Sequence, residues 1–203
     1  YDRGPSPHII MDELLGFPNV DIQWGNHDIA WMGAASGNEA LIAACVANAI
    51  SYNNFDMLED GYGINLRPLY EFAIHTYKND PCKLFMPKIF DRNIYDNVSG
   101  EVAAKMYKAI SIIRFKLDGA LINRNPEFNV DDRNFLKFVD FENMTYKNVP
   151  MKDTNFPTID PKDPLKLSDS EKFIIDILKS DFTKGNRLNR HMRFLYKNGS
   201  MYK

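Results

Sequence analysis

Cysteine is scarce in this sequence: Cys45 and Cys82 are the only two in 203 residues. Two thiols cannot build a disulfide framework, so the fold must rest on packing, and a reducing cytoplasm is the expected setting. Cys45 stands in an Ala-rich helical stretch and is expected to be a reduced core thiol. Long apolar runs are also missing. Nothing approaches the roughly 20 residues that a membrane-spanning helix requires, and no signal peptide opens the chain, so no membrane partner is expected. Positive charge is not in surplus. A formal net charge of −2 leaves no excess to displace counterions from a phosphate backbone, which argues against nucleic acid as a partner. There is no internal repeat and no low-complexity tract. What is present, 44% apolar and 26% charged residues, is an ordinary globular composition with enough chain for one or two domains.

The spacing of apolar residues predicts helices with few strands. Ser6-Pro7 reads as a helix start, a hydroxyl cap followed by Pro where its missing N–H does no harm. Gly16-Phe17-Pro18 stops that helix, and Val20–Trp24 is a short strand. From Ile29 to Ile50 the chain is Ala-rich and helical, punctuated at Gly33, Ser36 and Gly37. Asp60-Gly61-Tyr62-Gly63 reads as a turn, and Tyr62 between two glycines as a candidate ligand or subunit contact. Leu66–Tyr77 is an amphipathic helix with Leu66, Leu69, Tyr70, Ala73 and Tyr77 on one side. Asn97–Asn123 is the longest periodic segment, expected to carry its basic residues on the face away from the core. A β-hairpin is expected near 138–147 and an extended loop over Asp153–Pro164. Ser168 with Glu171 forms a capping box for the next helix, and Asn186–Tyr196 is a further helix. A last strand is expected from Gly199 to Tyr202.

The stretch Gly25-Asn26-His27-Asp28, behind the strand, concentrates chemistry. Gly lets the backbone turn and approach a ligand closely. An Asn amide is a hard oxygen ligand, and a His can be acid, base or ligand. The same letters also serve as turn formers, and Asp28 can cap the helix that follows. Trp24, Trp31 and Tyr52 read as packing, and His75 as a helix residue in the core or partly exposed.

Together with Asp2-Arg3-Gly4, the Gly25–Asp28 motif resembles the calcineurin-like metallophosphoesterases, whose pattern is Gly-Asp-x-x-Asp-Arg-Gly and then Gly-Asn-His-Asp/Glu. The longer matches resemble the class 3 fructose-1,6-bisphosphatases of bacteria. They are Asp2–Pro7, Val20–Ala34, Leu58–Leu66, Asp153–Pro161 and Arg190–Tyr196, so the resemblance runs the whole chain. It implies an α/β fold, here predominantly helical. Residues 1–35 would be a partial metallophosphoesterase βαβ core. Residues 36–185 would be a mainly helical insertion with the hairpin, and residues 186–203 a helix and strand returning to the core. The chain starts inside a motif without an initiator Met and is expected to be a piece of a longer protein. Unpaired strand edges in such a piece favour self-association, so a homo-oligomer is among the expected partners.

The resemblance also implies roles. Asn26 would ligate one metal of a two-metal manganese site. His27 would protonate the leaving group, Asp2 would orient that imidazole, and Arg3 would grip phosphate. The family's other metal ligands have no counterpart in these 203 residues, so this chain alone is expected to bind no catalytic metal and to turn over no substrate. His191 lacks the sequence context of the family's metal ligands. Arg187, Arg190 and Arg193 recur at helical spacing. Arg190 is a candidate for a second phosphate of a sugar bisphosphate, against the alternative of a solvated face or salt bridges to the Asp169–Asp176 helix. The implied function is metal-dependent hydrolysis of the 1-phosphate ester of fructose 1,6-bisphosphate in gluconeogenesis. A protein serine/threonine phosphatase shares both short motifs, although the long helical segment after Asp28 speaks against it. A non-catalytic helical interaction module is the reading from another class.

Overall fold

A computed structural model of the chain describes residues 2, 4–88 and 98–201. It is predominantly helical. Helix α1 spans Pro7–Leu14 with Pro7 in its first turn, as expected; Ser6 stands at the cap position, but its side chain makes no capping bond. Strand β1 is only Ile22–Gln23, shorter than the five residues expected. Helix α2 spans Asn26–Ala35, three residues earlier than the Ala-rich pattern suggested. The reason is local: Gly25 is extended, and its N–H donates to Asp28 Oδ2 at 2.8 Å. Asp28 thereby ties the backbone just before the helix and places a carboxylate at the positive end of the helix dipole. Asn26, His27 and Asp28 are therefore the first helical turn rather than a loop.

Gly37, at φ +91°, turns the chain out of α2, and Asn38 caps α3 (Glu39–Ser51) by accepting from Leu41 N–H at 3.1 Å. A π-helical turn, Met57–Gly61, stands where a tight turn was expected. Helix α4 is Arg67–Thr76; Leu66, Leu69, Ala73 and Tyr77 are buried as its pattern predicts, but Tyr70 is exposed. Helix α5, Gly100–Arg124, is capped by Ser99. The expected residue Asn97 lies outside the described residues. Short 3₁₀ turns lead to a small antiparallel sheet, in order β2 (Val139–Asp140), β3 (Thr145–Tyr146) and β4 (Val149–Pro150). The third strand was not evident in sequence. Helix α6 (Asp169–Lys184) opens with the expected reciprocal box, Glu171 N–H to Ser168 Oγ and Ser168 N–H to Glu171 Oε2. Helix α7 (Asn186–Asn198) runs into β5 (Gly199–Ser200), which pairs in parallel with β1. Tyr202, in the expected last strand, is outside the described residues.

The core is one cluster in which α3 packs on α5 and α2, with α4, α6 and α7 closing around them. Cys45 lies in it as a free thiol. Burial, with the charge of Asp2 adding, pushes that thiol far up and keeps it protonated. Gly199 is needed where it stands: a Cβ there would lie 2.0 Å from Trp24 Nε1, the group that donates to Leu195 O at 2.9 Å. That bond and the β1–β5 ladder fix the strand tip from which α2 departs.

The basic residues of α5 divide: Arg114 and Arg124 are exposed as expected, but the lysines correct the amphipathic expectation. Lys105, Lys108 and Lys116 are buried. Lys108 Nζ donates to Asp80 Oδ2 at 2.6 Å and to Asp153 Oδ1 at 2.9 Å, among the rings of Tyr77 and Phe156. Lys116 Nζ donates to Thr158 O at 2.6 Å and to Glu171 Oε2 at 2.7 Å. A buried ammonium is tolerable only when its donors are taken up by anions or carbonyls, and here they are. Burial alone would raise the Asp80 carboxyl, but the bonds from Lys108, Cys82 N–H and Asn155 outweigh it and hold it at about 2. These lysines strap the Asp153–Pro164 loop to the body of the molecule.

Candidate active site

The strand tip, the start of α2 and the chain's opening residues meet at one carboxylate. His27 Nδ1–H donates to Asp2 Oδ1 at 2.9 Å and to Oδ2 at 2.8 Å. Twenty-five residues separate the two, so the contact is made by the fold. With Nδ1 held by the carboxylate, the imidazole presents Nε2 as its second nitrogen, on a side chain 39% exposed. Asp2 itself is 9% exposed. Its Oδ2 also accepts Trp31 Nε1–H at 3.1 Å and Asn48 Nδ2–H at 2.9 Å. Asn54 Nδ2 donates to the backbone oxygens of Asp2 and Gly4 at 3.2 and 2.8 Å, which fixes the turn that brings the carboxylate in.

Trp31 and Asn48 are the residues that sequence reasoning missed. Trp31 packs, as expected, but its N–H has a job as well. A signal existed for both: Trp31 follows His27 by four residues, hence on the same helix face, and Asn48 is a polar residue inside the apolar run of α3. Asn26 sits exposed in the first turn of α2. Its amide oxygen suits a hard divalent cation in kind, but among the described residues no group of three His, Cys, Asp or Glu converges to complete a ligand set. Arg3, the residue matched to phosphate binding, lies outside the described residues.

A second cluster forms behind the first. Asp12 of α1 receives Arg187 Nε–H at 2.9 Å, Arg190 Nη2–H at 2.6 Å and His191 Nε2–H at 2.7 Å. The Arg187 guanidinium, then His191, hold the Asp12 carboxyl far below the usual carboxylate range. His191 is fully buried, and its Nδ1 accepts the Tyr62 hydroxyl at 3.3 Å. Arg187 and Arg190 thus pair with α1 and not with the Asp169–Asp176 helix. Arg190 remains 60% exposed and borders a groove of about 530 Å³ that Lys184, Arg193 and Lys197 also line. Tyr62 is 8% exposed and lies between these clusters, its ring centroid 5.6 Å from Trp31, tilted against it, and 5.7 Å from His191, edge-on. It is a core residue, not a surface contact. His75 is exposed. Among the described residues no helix is long and apolar enough to cross a membrane.

Comparison with known proteins adds the family. The sequence profile of the Firmicute fructose-1,6-bisphosphatases matches residues 1–203. A protein of Alkaliphilus metalliredigens named fructose-1,6-bisphosphatase class 3 is 51% identical over 206 residues, covering all of this chain and 31% of the relative. Namesakes from Bacteroides fragilis and Porphyromonas gingivalis are 49% and 48% identical over 207 residues, again across all of this chain and 31% and 32% of their own lengths. The chain therefore spans about a third of the length of these curated relatives. No solved structure matches it. A profile matched from end to end, with about half of all positions identical in a relative, settles the descent: this chain belongs to the Firmicute fructose-1,6-bisphosphatase family.

Proposed function

We propose that this chain carries the proton-donating half of a metal-dependent phosphoric monoester hydrolase, one that removes the 1-phosphate of fructose 1,6-bisphosphate in gluconeogenesis in the cytoplasm. The observation that carries the reading is the Asp2–His27 bond, 2.8 Å long across 25 residues. The relatives' names supply the substrate.

Ester hydrolysis leaves an alkoxide that needs a proton. Asp2 fixes the tautomer and orientation of His27, which leaves Nε2 as the nitrogen that would deliver the proton. Arg3 follows Asp2 in sequence and, as a planar guanidinium, suits the phosphoryl oxygens. A divalent cation such as manganese, when bound, supplies an activated water and neutralises phosphoryl charge. Asn26 offers it one amide oxygen, and the remaining ligands would come from parts of the protein beyond these 203 residues. The helical body, residues 36–185, then serves as the frame behind α2.

The test is a transplant. These 203 residues replace the matching third of the Alkaliphilus relative, and phosphate release from fructose 1,6-bisphosphate is measured with manganese present. The expected result is turnover by the hybrid and none by the 203-residue chain alone. Turnover by a hybrid carrying His27→Gln at the unaltered rate would sink the assignment of the proton donor.

A further inference from the structure

We propose that Trp31 and Asn48 are positioning residues for the Asp2–His27 pair, an uncharged clamp that fixes the carboxylate without taking up its charge. The inference rests on the reading of this pair as the proton-bearing half of the site, and it goes beyond that reading by naming what tunes the pair.

The geometry is specific. Asp2 Oδ2 accepts three N–H groups, from His27 at 2.8 Å, Trp31 at 3.1 Å and Asn48 at 2.9 Å, whereas Oδ1 faces His27 at 2.9 Å. A carboxylate held only by an imidazole can rotate about its last bond. Two further donors on one oxygen set its plane, and with it the direction of the imidazole. The donors come from two helices, Trp31 from α2 and Asn48 from α3, so the clamp closes only when these helices pack. Trp31 has little freedom of its own: it is 5% exposed, with ring centroids 5.6 Å from both Tyr62 and Phe182. Its N–H direction is set by that packing.

The chemistry of the donors matters as much as their placement. Among the described residues no lysine or arginine bonds to Asp2. An indole and an amide present only the positive ends of dipoles, so the carboxylate stays a net anion toward His27. A guanidinium in either place would neutralise it. The clamp thus holds Asp2 still and leaves its charge to the imidazole.

The full 203-residue chain can be tested without turnover. The sequence has two tryptophans, and both indole N–H groups are bonded, Trp31 to Asp2 and Trp24 to Leu195 O. In a ¹⁵N-correlated spectrum Trp24 is a built-in reference. In the unmutated chain a through-hydrogen-bond coupling is expected between the Trp31 indole nitrogen and the Asp2 carboxyl carbon. Asp2→Asn should shift the Trp31 resonance upfield while Trp24 holds still. Asn48→Ala removes the second neutral donor and should make the His27 Nδ1–H exchange with solvent about tenfold faster, again with Trp24 in place. A missing Trp31–Asp2 coupling in the unmutated chain, or an unchanged His27 exchange rate in Asn48→Ala, overturns the clamp. The coupling needs no variant to fold. Failure of the phosphatase reading would show elsewhere, as undiminished phosphate release by the His27→Gln hybrid, and the indole test reads the clamp whichever way that falls.

Discussion

Two aspartate–histidine pairs lie among the described residues, and their difference is instructive. Asp2–His27 and Asp12–His191 have nearly the same bond length, 2.8 and 2.7 Å. The second pair is finished: His191 is fully buried, and both its nitrogens are engaged, one by Asp12 and one by Tyr62. Asp12 also holds two guanidinium groups. With its charge shared among them, burial wins at His191 and lowers its proton affinity below the ordinary imidazole value, the pull of Asp12 notwithstanding. The first pair is left open. Asp2 takes only neutral donors besides the imidazole among the described residues, and His27, bonded through Nδ1, has a side chain 39% exposed. A carboxylate beside a His is therefore not a catalytic signature by itself. What surrounds the carboxylate, and whether the far nitrogen is free, decide between chemistry and architecture.

The largest contrast should come from the open pair. In the hybrid enzyme His27→Gln is expected to lower phosphate release by about 10²- to 10⁴-fold, with the thermal midpoint nearly unchanged. His191→Gln should do the reverse, lowering the midpoint and leaving the rate per folded molecule intact. Equal loss of activity in both would erase the distinction drawn here.

Next comes Asp12→Ala, which leaves two arginines and a buried imidazole without their acceptor. A loss of about 2 kcal/mol of unfolding free energy is expected in a urea titration. A smaller change would mean that the closed pair is held by packing alone.

The pH dependence of stability sharpens the comparison further. Burial is the leading cause of the lowered proton affinity of both His191 and His8. Each stays neutral in the folded chain but binds a proton in the unfolded chain below about pH 6.5. The stability they contribute is whole above that value and is lost as the pH falls beneath it. Thermal midpoints measured at pH 7 and 5.5 should therefore differ, and the difference should shrink in His191→Gln. Persistence of the full drop would place the titrating group elsewhere.

The smallest effect is expected from Arg190→Ala. Its side chain is largely exposed, and a change within about 0.5 kcal/mol is the expectation for such a pair. A raised KM for fructose 1,6-bisphosphate with kcat unchanged would instead assign its groove to a substrate phosphate.

The elements written locally were legible in sequence: the stop at Gly16-Phe17-Pro18, the box of Ser168 and Glu171, and the strong periodicity of α5. The meeting of Asp2 with His27 was legible only through family likeness, since nothing in a chain's spacing brings residue 2 to residue 27. Trp31 and Asn48 were harder. An indole in an apolar helix reads as packing because most of its surface does pack, and the single N–H carries no periodic signal. The inward lysines of α5 were misread for a related reason. Helical patterning assigns charge to solvent, and their anionic partners, Asp80, Asp153 and Glu171, lie 28 to 55 residues away. The third strand, β4, was missed because two residues containing a proline give no alternation to read.

Those lysines carry a consequence for how the molecule comes apart. A segment without regular structure, such as 153–158, would ordinarily breathe on its own. Here detaching it would take one oxygen acceptor from each of two buried ammonium groups, Asp153 from Lys108 and the Thr158 carbonyl from Lys116, leaving Asp80 and Glu171 to hold them. Amide hydrogens in this stretch should accordingly exchange with solvent only when the middle of α5 does, so that an irregular loop and the longest helix open as a single cooperative unit.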